Sequence, residues 1–288
     1  MKDKKALNTQ AVNTWCPGCG NFGILSAMRS VLMEIQAQGT PLENVVLLSG
    51  IGCHAKIVDY VDVNSFYSLH GRVIPPLTGI KLVNPDLIVI GHAGDGDAYG
   101  EGIEHLIFAA KRNVDATFIV HNNSVYGLTT GQFTPTSPKG FKGRSTPDGS
   151  PEYPMNPLEI MLASGASFVA RGYSGKIEHL KKLILQGIEH KGFSFIDVLQ
   201  PCYTFFNTYE YYNKWVEEIE DATKERPRSF DEANAMIRSW PYDQSQQPIA
   251  IGIFYTEQRS TFEEEVLKRQ VPGTDKIEGI QKILERMR

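Results

Sequence analysis

Cysteine is scarce in this 288-residue chain, with only four residues, Cys16, Cys19, Cys53 and Cys202. So few thiols cannot staple the disulfide frameworks that small secreted domains depend on. Long hydrophobic runs are missing as well: nothing approaches the roughly 18 apolar residues that span a bilayer. The polar start MKDKKALNTQAV lacks the apolar centre of a signal peptide. Charge of one sign is not in excess. Lys and Arg number 29 against 33 Asp and Glu, a formal net charge of −4, so no basic footprint for nucleic acid exists. Internal repeats and low-complexity segments are also absent. The expectation is a cytoplasmic chain that engages neither nucleic acid nor membrane.

What the chain does contain is a regular alternation of short apolar runs and helical patterns. Val45–Leu48, Leu87–Ile90, Thr117–Val120, Phe168–Ala170 and Phe195–Leu199 read as strands buried on both faces. Between them lie helical spacings. In one, Leu25, Met28, Leu32 and Ile35 recur at intervals of three and four, with Asn21 as the expected N-cap and Gly39 beyond the end. Strands alternating with helices predict an α/β fold with a mostly parallel sheet flanked by helices. Thr129 to Met155, rich in Gly, Pro, Ser and Thr, reads as a long functional loop. The composition shifts near Tyr203 towards mixed aromatics and charges. A binding domain over 1–210 and a C-terminal extension over 211–288, wrapping the core or a partner, is the expected division.

Gly94-Asp95-Gly96-Asp97 follows the apolar run DLIVIGH directly, and Asn122-Asn123 lies at the end of the next buried run, with a helical pattern between. An acid on a glycine-rich turn followed by an amide one strand later suits a divalent cation that holds a diphosphate. Mg²⁺ takes one or two carboxylates together with phosphate and water oxygens, and glycine lets the backbone come close to a ligand. Ligands of α/β sheets collect at the carboxyl ends of the strands.

The cysteines add a second pattern. Cys16-Pro17-Gly18-Cys19 is a CxxC, and Cys53 and Cys202 each follow a strand, on the same sheet edge as Asp95 and Asn123. Four thiols suit a [4Fe–4S] cluster, a Cys₄ zinc site fits by count, and scattered buried thiols fit as small apolar groups. A thioredoxin-type pair fits poorly, because a polar segment rather than a strand precedes the CxxC. Gly18-Cys19-Gly20-Asn21-Phe22-Gly23 imitates a dinucleotide fingerprint, but again no strand precedes it.

Trp15-Cys16-Pro17-Gly18-Cys19-Gly20, Gly50-Ile51-Gly52-Cys53, Ser68-Leu69-His70-Gly71-Arg72, the Gly94–Asp97 run, Asn122 to Thr129, and Gln200-Pro201-Cys202 occur in this order. The set resembles the β subunit of 2-oxoacid:ferredoxin oxidoreductases over roughly residues 10 to 210. The resemblance implies a thiamine diphosphate-binding fold of the diphosphate-binding type. It implies Mg²⁺ on Asp95, Asn123 and the Val125 carbonyl, and one [4Fe–4S] cluster on Cys16, Cys19, Cys53 and Cys202. It places Ile51, Gly52, Cys53, His54, His70, Gly96, Asp97, Gly127 and Leu128 against the cofactor, and Lys56 and Leu128 near the substrate. The implied reaction is coenzyme A-dependent oxidative decarboxylation of a 2-oxoacid, with ferredoxin as electron acceptor. The carboxylate that activates the thiazolium belongs in this family to a larger subunit, so an obligate heteromer is expected. Two residues depart from the family pattern: His54 stands where Ser is common, and His121 where an apolar residue is common. A non-redox thiamine diphosphate enzyme and a zinc-stapled structural subunit are the rival readings.

Overall fold

The computed structural model describes residues 7–268 and 284–286. The first six residues of the polar start, and the end of the expected C-terminal extension apart from 284–286, lie outside the described residues. Eight strands form one sheet: β1 (Val45–Ser49), β2 (Asn64–Tyr67), β3 (Ile88–Gly94), β4 (Ala116–Asn122), β5 (Phe168–Tyr173), β6 (Phe193–Leu199), β7 (Val216–Glu218) and β8 (Ile249–Thr256). Their spatial order is β2-β1-β3-β4-β6-β5-β8-β7. All neighbours are parallel except β8, which runs antiparallel to β5 and carries β7 parallel beside it. The mostly parallel α/β sheet expected from the alternation is therefore present, and every buried run expected as a strand falls on one.

The helices are α1 (Asn21–Ala37), α2 (Ile57–Tyr60), α3 (Ile74–Val83), α4 (Ile103–Arg112), α5 (Pro157–Ala163), α6 (Ile177–Glu189), α7 (Tyr209–Trp215), α8 (Phe230–Arg238) and α9 (Phe262–Leu267). Alternation along each strand divides the core into two layers. Leu48, Phe118 and Phe195 face the layer shared with Leu77 of α3, Leu106 of α4 and Ile237 of α8. Their neighbours Leu47, Ile119 and Ile196 face Met28 and Val31 of α1 and Leu183 of α6. Both faces are covered, which is why β1, β4, β5 and β6 are buried along their whole length.

Three local expectations need correction or extension. Asn21 does not cap α1. Gly20 occupies the cap position in a helical conformation, with no side-chain cap. The buried Asn21 carboxamide instead meets His121, Nδ1 to Oδ1 at 2.8 Å. The Gly94–Asp97 run is not a glycine turn. Asp95 already has helical dihedrals, and Gly96–Glu101 forms a wide π-helical turn leading into α4, a form that recurs at functional sites. The long loop holds no helix or strand, yet Thr134, Thr136, Ser137, Phe141 and Ser150 are buried. It is packed against the domain rather than projecting from it.

Chain order places the site. After β1 the chain moves outward to β2, then returns to lay β3 on the other side of β1. The reversal opens a crevice between the carboxyl ends of β1 and β3, where open α/β sheets bind ligands. Beyond β5, the fold is closed by Trp240, which is 1 % exposed and stacks on Tyr242 at 4.3 Å between ring centroids. Trp240→Ala should lower the unfolding free energy of the purified chain by about 3–5 kcal/mol, the range for an emptied large aromatic site, read from urea midpoints.

Candidate functional site

Four strand ends deliver the chemistry. β1 leads into Gly50-Ile51-Gly52-Cys53, β3 into Asp95, β4 into Asn123, and β6 into Gln200-Pro201-Cys202. The ends of β1, β3 and β4 border one pocket lined by Ile51, Gly52, Cys53, His54, His70, Asp95, Gly96, Asp97, Asn123, Val125, Gly127 and Leu128, together with Gly94, Tyr126 and Thr129. The β6 end stands behind that wall, with Gln200 against Asn123. Every residue expected against the cofactor thus reaches one cavity, as do the three expected around Mg²⁺. Lys56 is not on its wall; its ammonium donates to Thr14 Oγ1 at 2.6 Å.

Asp95 is 2 % exposed. Both of its side-chain donors use one oxygen: Thr134 donates to Oδ2 at 2.5 Å and Thr136 at 2.8 Å. Burial nevertheless pushes its pKa up to about 6, against the pull of those hydroxyls. No Lys, Arg or His among the described residues pairs with it. A buried carboxylate so provided for is suited to an incoming cation.

Asp97 is held differently. The Gly71 N–H donates to its Oδ1 at 2.6 Å, and His54 Nε2 stands 3.2 Å from Oδ2, an ion-pair distance without hydrogen-bond alignment. His70 Nε2 is 4.0 Å from Oδ1. Two glycines are required here by space. A Cβ on Gly50 would sit 2.0 Å from Asp97 Oδ2, and one on Gly96 would sit 2.2 Å from the Tyr126 ring.

The Asn pair divides its labour. Asn122 turns inward and donates through Nδ2 to Asp197 at 3.1 and 3.3 Å. Asn123 borders the pocket; its Oδ1 accepts from the Val125 N–H at 3.1 Å and its Nδ2 donates to Gln200 Oε1 at 3.2 Å. Successive residues at a strand end face opposite ways, and Ser124, which follows the pair, adopts a left-handed φ of 56°, a costly conformation for a residue with a Cβ.

The two departures from the family pattern part company. His54 lines the pocket, whereas His121 lies behind it, fully buried. Asn21 Oδ1 accepts from His121 Nδ1, so His121 Nε2 accepts from His92 Nδ1 at 2.9 Å. Burial lowers the pKa of His92 to about 3 and drives that of His121 well down. Both rings are neutral at physiological pH.

All four cysteines are free thiols; Cys16 is exposed and the other three partly buried. The CPGC turn is tied to the β6 end by the Gly20 N–H donating to the Pro201 carbonyl at 3.1 Å, and Trp15 Nε1 donates to the Cys53 carbonyl at 2.6 Å. Above Gly127, a Cβ would meet Cys53 Sγ at 3.5 Å and Cys202 Sγ at 3.8 Å. The thiols therefore gather beside the pocket. Burial, opposed by the Asn21 backbone and joined by smaller contributions from Cys202, Cys53 and Cys16, raises the Cys19 pKa to about 12. Such a set holds its charges only around a strongly positive centre. Among the described residues, no group of three or more His, Cys, Asp or Glu is arranged to hold a single metal ion.

Several supporting residues escape a sequence reading. Thr134 and Thr136 reach Asp95 from a loop with no periodicity, about 40 residues on. Tyr126, whose hydroxyl donates to the Gly96 carbonyl at 3.3 Å, sits inside the recognised motif but carries no charge to draw notice. The Thr-Pro-Thr-Ser-Pro run at 134–138 was the one available signal.

Comparison with known proteins fits this geometry. Residues 50–198 match the family model of the C-terminal TPP-binding domain of thiamine pyrophosphate enzymes, and residues 201–270 that of the C-terminal part of the pyruvate ferredoxin oxidoreductase beta subunit. The chain is 44 % identical over 269 residues to the 2-oxoacid:ferredoxin oxidoreductase subunit beta of Saccharolobus solfataricus, covering 89 % of this chain and 86 % of that one. This chain is a β subunit of the 2-oxoacid:ferredoxin oxidoreductase family. Subunit beta of 2-oxoacid:ferredoxin oxidoreductase 1 from Aeropyrum pernix is 41 % identical over 271 residues, 92 % of this β subunit and 84 % of that chain. A solved 2-oxoglutarate:ferredoxin oxidoreductase from Magnetococcus marinus, with 2-oxoglutarate, coenzyme A and succinyl-CoA bound, superimposes with a TM-score of 0.87 at 32 % identity, covering 97 % of this β subunit and 95 % of that chain.

Burying Asp95 has a thermodynamic signature. Its folded pKa of about 6 lies above the ordinary 3.8, so the folded state binds more protons between those values and stability falls as pH rises through that window. Asp95→Asn removes the titration. In metal-free protein the variant should gain on wild type from pH 4 to pH 6.5, by about 2 kcal/mol, measured by urea unfolding at both pH values. Equal stability at both would contradict the buried-acid account.

Proposed function

We propose that this β subunit carries half of an active site for oxidative decarboxylation of a 2-oxoacid, with thiamine diphosphate, Mg²⁺ and a [4Fe–4S] cluster resident on it. The observation that carries the reading is the convergence of Asp95, Asn123, Val125 and Cys53 at one pocket, with the Cys202 thiol next to its Gly127 wall.

Asp95, the Asn123 side-chain oxygen and the Val125 carbonyl are the oxygen donors for Mg²⁺. This is one carboxylate with neutral oxygens, the set expected when phosphates and water complete the shell. Gly96 lines the pocket beside the Tyr126 ring, where any Cβ would clash, so its bare backbone is what faces a diphosphate there. Bound there, thiamine diphosphate supplies the electron sink for loss of CO₂. His54 and His70 flank Asp97, and Gly127 and Leu128 form the opposite wall beneath the thiols. Cys16, Cys19, Cys53 and Cys202 are the cluster ligands. A cubane offers a separate iron to each thiolate and so asks for a wider spacing than the roughly 2.3 Å bonds around one zinc ion. Cys19 interacts electrostatically with Cys202, Cys53 and Cys16, so the four thiols are near neighbours.

Leu128 on the pocket wall is 49 % exposed, and Leu69, next in sequence to the lining residue His70, is 75 % exposed. Apolar side chains left on a rim mark a surface that another chain covers. We assign that cover to a larger α subunit, which contributes the activating carboxylate and the grip on the substrate. Leu128 is placed to touch the 2-oxoacid, and Lys56 reaches it only if it releases Thr14. Coenzyme A accepts the acyl group and ferredoxin the electrons. No described helix is long and apolar enough to cross a membrane, and we place the complex in the cytoplasm.

The test is co-expression with the α subunit and assay of coenzyme A-dependent dye reduction over a panel of 2-oxoacids. Cys202→Ser should remove the cluster absorbance and about four irons per chain, and Asp95→Ala should abolish Mg²⁺-dependent cofactor binding while the iron stays. Zinc in place of iron in the native complex, or full turnover by the β subunit alone, would refute the reading.

A further inference from the structure

A line of buried polar contacts runs from Asp95 into the C-terminal part of the chain. Thr136 Oγ1 lies 2.8 Å from Asp95 Oδ2 and 2.9 Å from Asn122 Oδ1, so its single proton is shared between two acceptors. The other end of the Asn122 amide donates to Asp197. Because a carboxylate only accepts, Asp197 fixes the amide the right way round and keeps its oxygen on Thr136. Asp197 is itself fully buried and accepts from Tyr99 at 2.7 Å and Tyr242 at 2.8 Å.

Tyr242 is unusually constrained. Its backbone has a left-handed φ of 62°, a conformation that an aromatic residue holds only when its surroundings impose it. Its ring stacks on Trp240, and its hydroxyl accepts from Arg171 Nε at 3.2 Å. Arg171, buried on β5, lies about 5.0 Å over both rings and donates through its Nη1 to the Ala250 carbonyl of β8 at 3.1 Å. An exposed turn would not need such a clamp. Here it delivers one phenol to a buried acid two contacts from Thr136.

We propose that Tyr242 is a positioning residue for the cofactor-binding acid: through Asp197, Asn122 and Thr136 it fixes the Asp95 carboxylate that holds Mg²⁺ and the diphosphate. The inference rests on the assignment of Asp95 to Mg²⁺. Without the phenol, Asp197 Oδ2 loses its donor at 2.8 Å and draws on Asn122 Nδ2, now 3.3 Å away. The amide then tilts, and the Thr136 proton is redistributed between Asn122 and Asp95. The C-terminal segment thereby sets the geometry of a site it does not touch.

The experiment titrates Mg²⁺ into the assembled complex with thiamine diphosphate present and reads binding by calorimetry, alongside the apparent KM for Mg²⁺, kcat, the cluster absorbance and the melting temperature. Tyr242→Phe, which keeps the ring, should weaken Mg²⁺ binding about 3- to 10-fold, as expected for coupling through a packed network. At saturating Mg²⁺, kcat and the cluster absorbance should be retained. Thr136→Val should weaken binding as well, Thr136→Ser should restore it, and the Phe/Val double variant should lose less than the two single effects multiplied together. Ile237→Val, a buried change of similar stability cost in α8, should leave Mg²⁺ affinity unchanged. Wild-type affinity in Tyr242→Phe, equal loss in Ile237→Val, or multiplicative effects in the double variant would overturn the proposal. If Tyr242→Phe does not assemble, the Thr136 pair combined with Asn122→Asp, which puts an acid in place of the amide, decides: affinity insensitive to both overturns it. Asp95→Asn separates the two layers, because unchanged Mg²⁺ affinity there refutes the metal assignment itself.

Discussion

The buried carboxylate of Asp95 is the constraint around which the rest of the site is organised. An acid at 2 % exposure costs free energy to ionise unless something answers its charge. Two threonine hydroxyls answer part of it, and a bound cation is the natural complement. The requirement explains the local architecture. The acid must leave the sheet at a fixed point, so it follows β3 directly. The chain must then bend away tightly, which the π-helical turn at Gly96–Glu101 does. The hydroxyls must come from a segment free to fold back, which is why the long loop is packed rather than mobile in character.

Asp197 offers an instructive contrast. It is just as buried, and burial likewise raises its pKa, but Tyr99, Tyr242, Asn122 and the charge of Arg171 oppose that rise. Its donors all belong to the protein, so it serves as a structural node. Asp95, with neutral donors on one oxygen, does not have its charge answered within the chain. The two acids lie close enough that each disfavours the other's charge, and the neutral Thr136–Asn122 pair between them separates the ligand-facing acid from the structural one.

Much of this was legible in the residues. Buried strands show as unbroken apolar runs because both faces of a parallel sheet are covered, and the motifs at their carboxyl ends give the pocket its lining. Less was legible where the deciding contact was distant or neutral. Asn21 has the composition of a helix cap, but a buried histidine 100 residues away takes its side chain, and the Phe22 and Gly23 N–H groups already donate to the Cys19 and Gly20 carbonyls. Gly-Asp-Gly has the composition of a turn, yet strand and helix continue through it with no turn between them. Thr134, Thr136 and Tyr242 carry no charge and no periodicity, so apart from the Thr-Pro-Thr-Ser-Pro run around the two threonines nothing local marks them. Lys56, charged and adjacent to a motif, invited a role that its contact with Thr14 does not place in the pocket.

The division of labour between the two ends of the sheet follows from the same electrostatics. Burying Asp95 and the neutral histidine pair costs the metal-free fold stability, and these groups gather with the four thiols at the carboxyl edge of β1, β3, β4 and β6. A core of parallel strands alone would have to carry that cost. The antiparallel addition of β8 beyond β5, with Trp240, Tyr242 and Arg171 packed beneath it, adds apolar burial on the side away from the thiols. It also supplies a donor, the Tyr242 hydroxyl, to the buried Asp197. The C-terminal segment is therefore better understood as the counterweight of the site than as an appendage. A chain truncated before β8 would keep every pocket residue and lose the packing that offsets their cost.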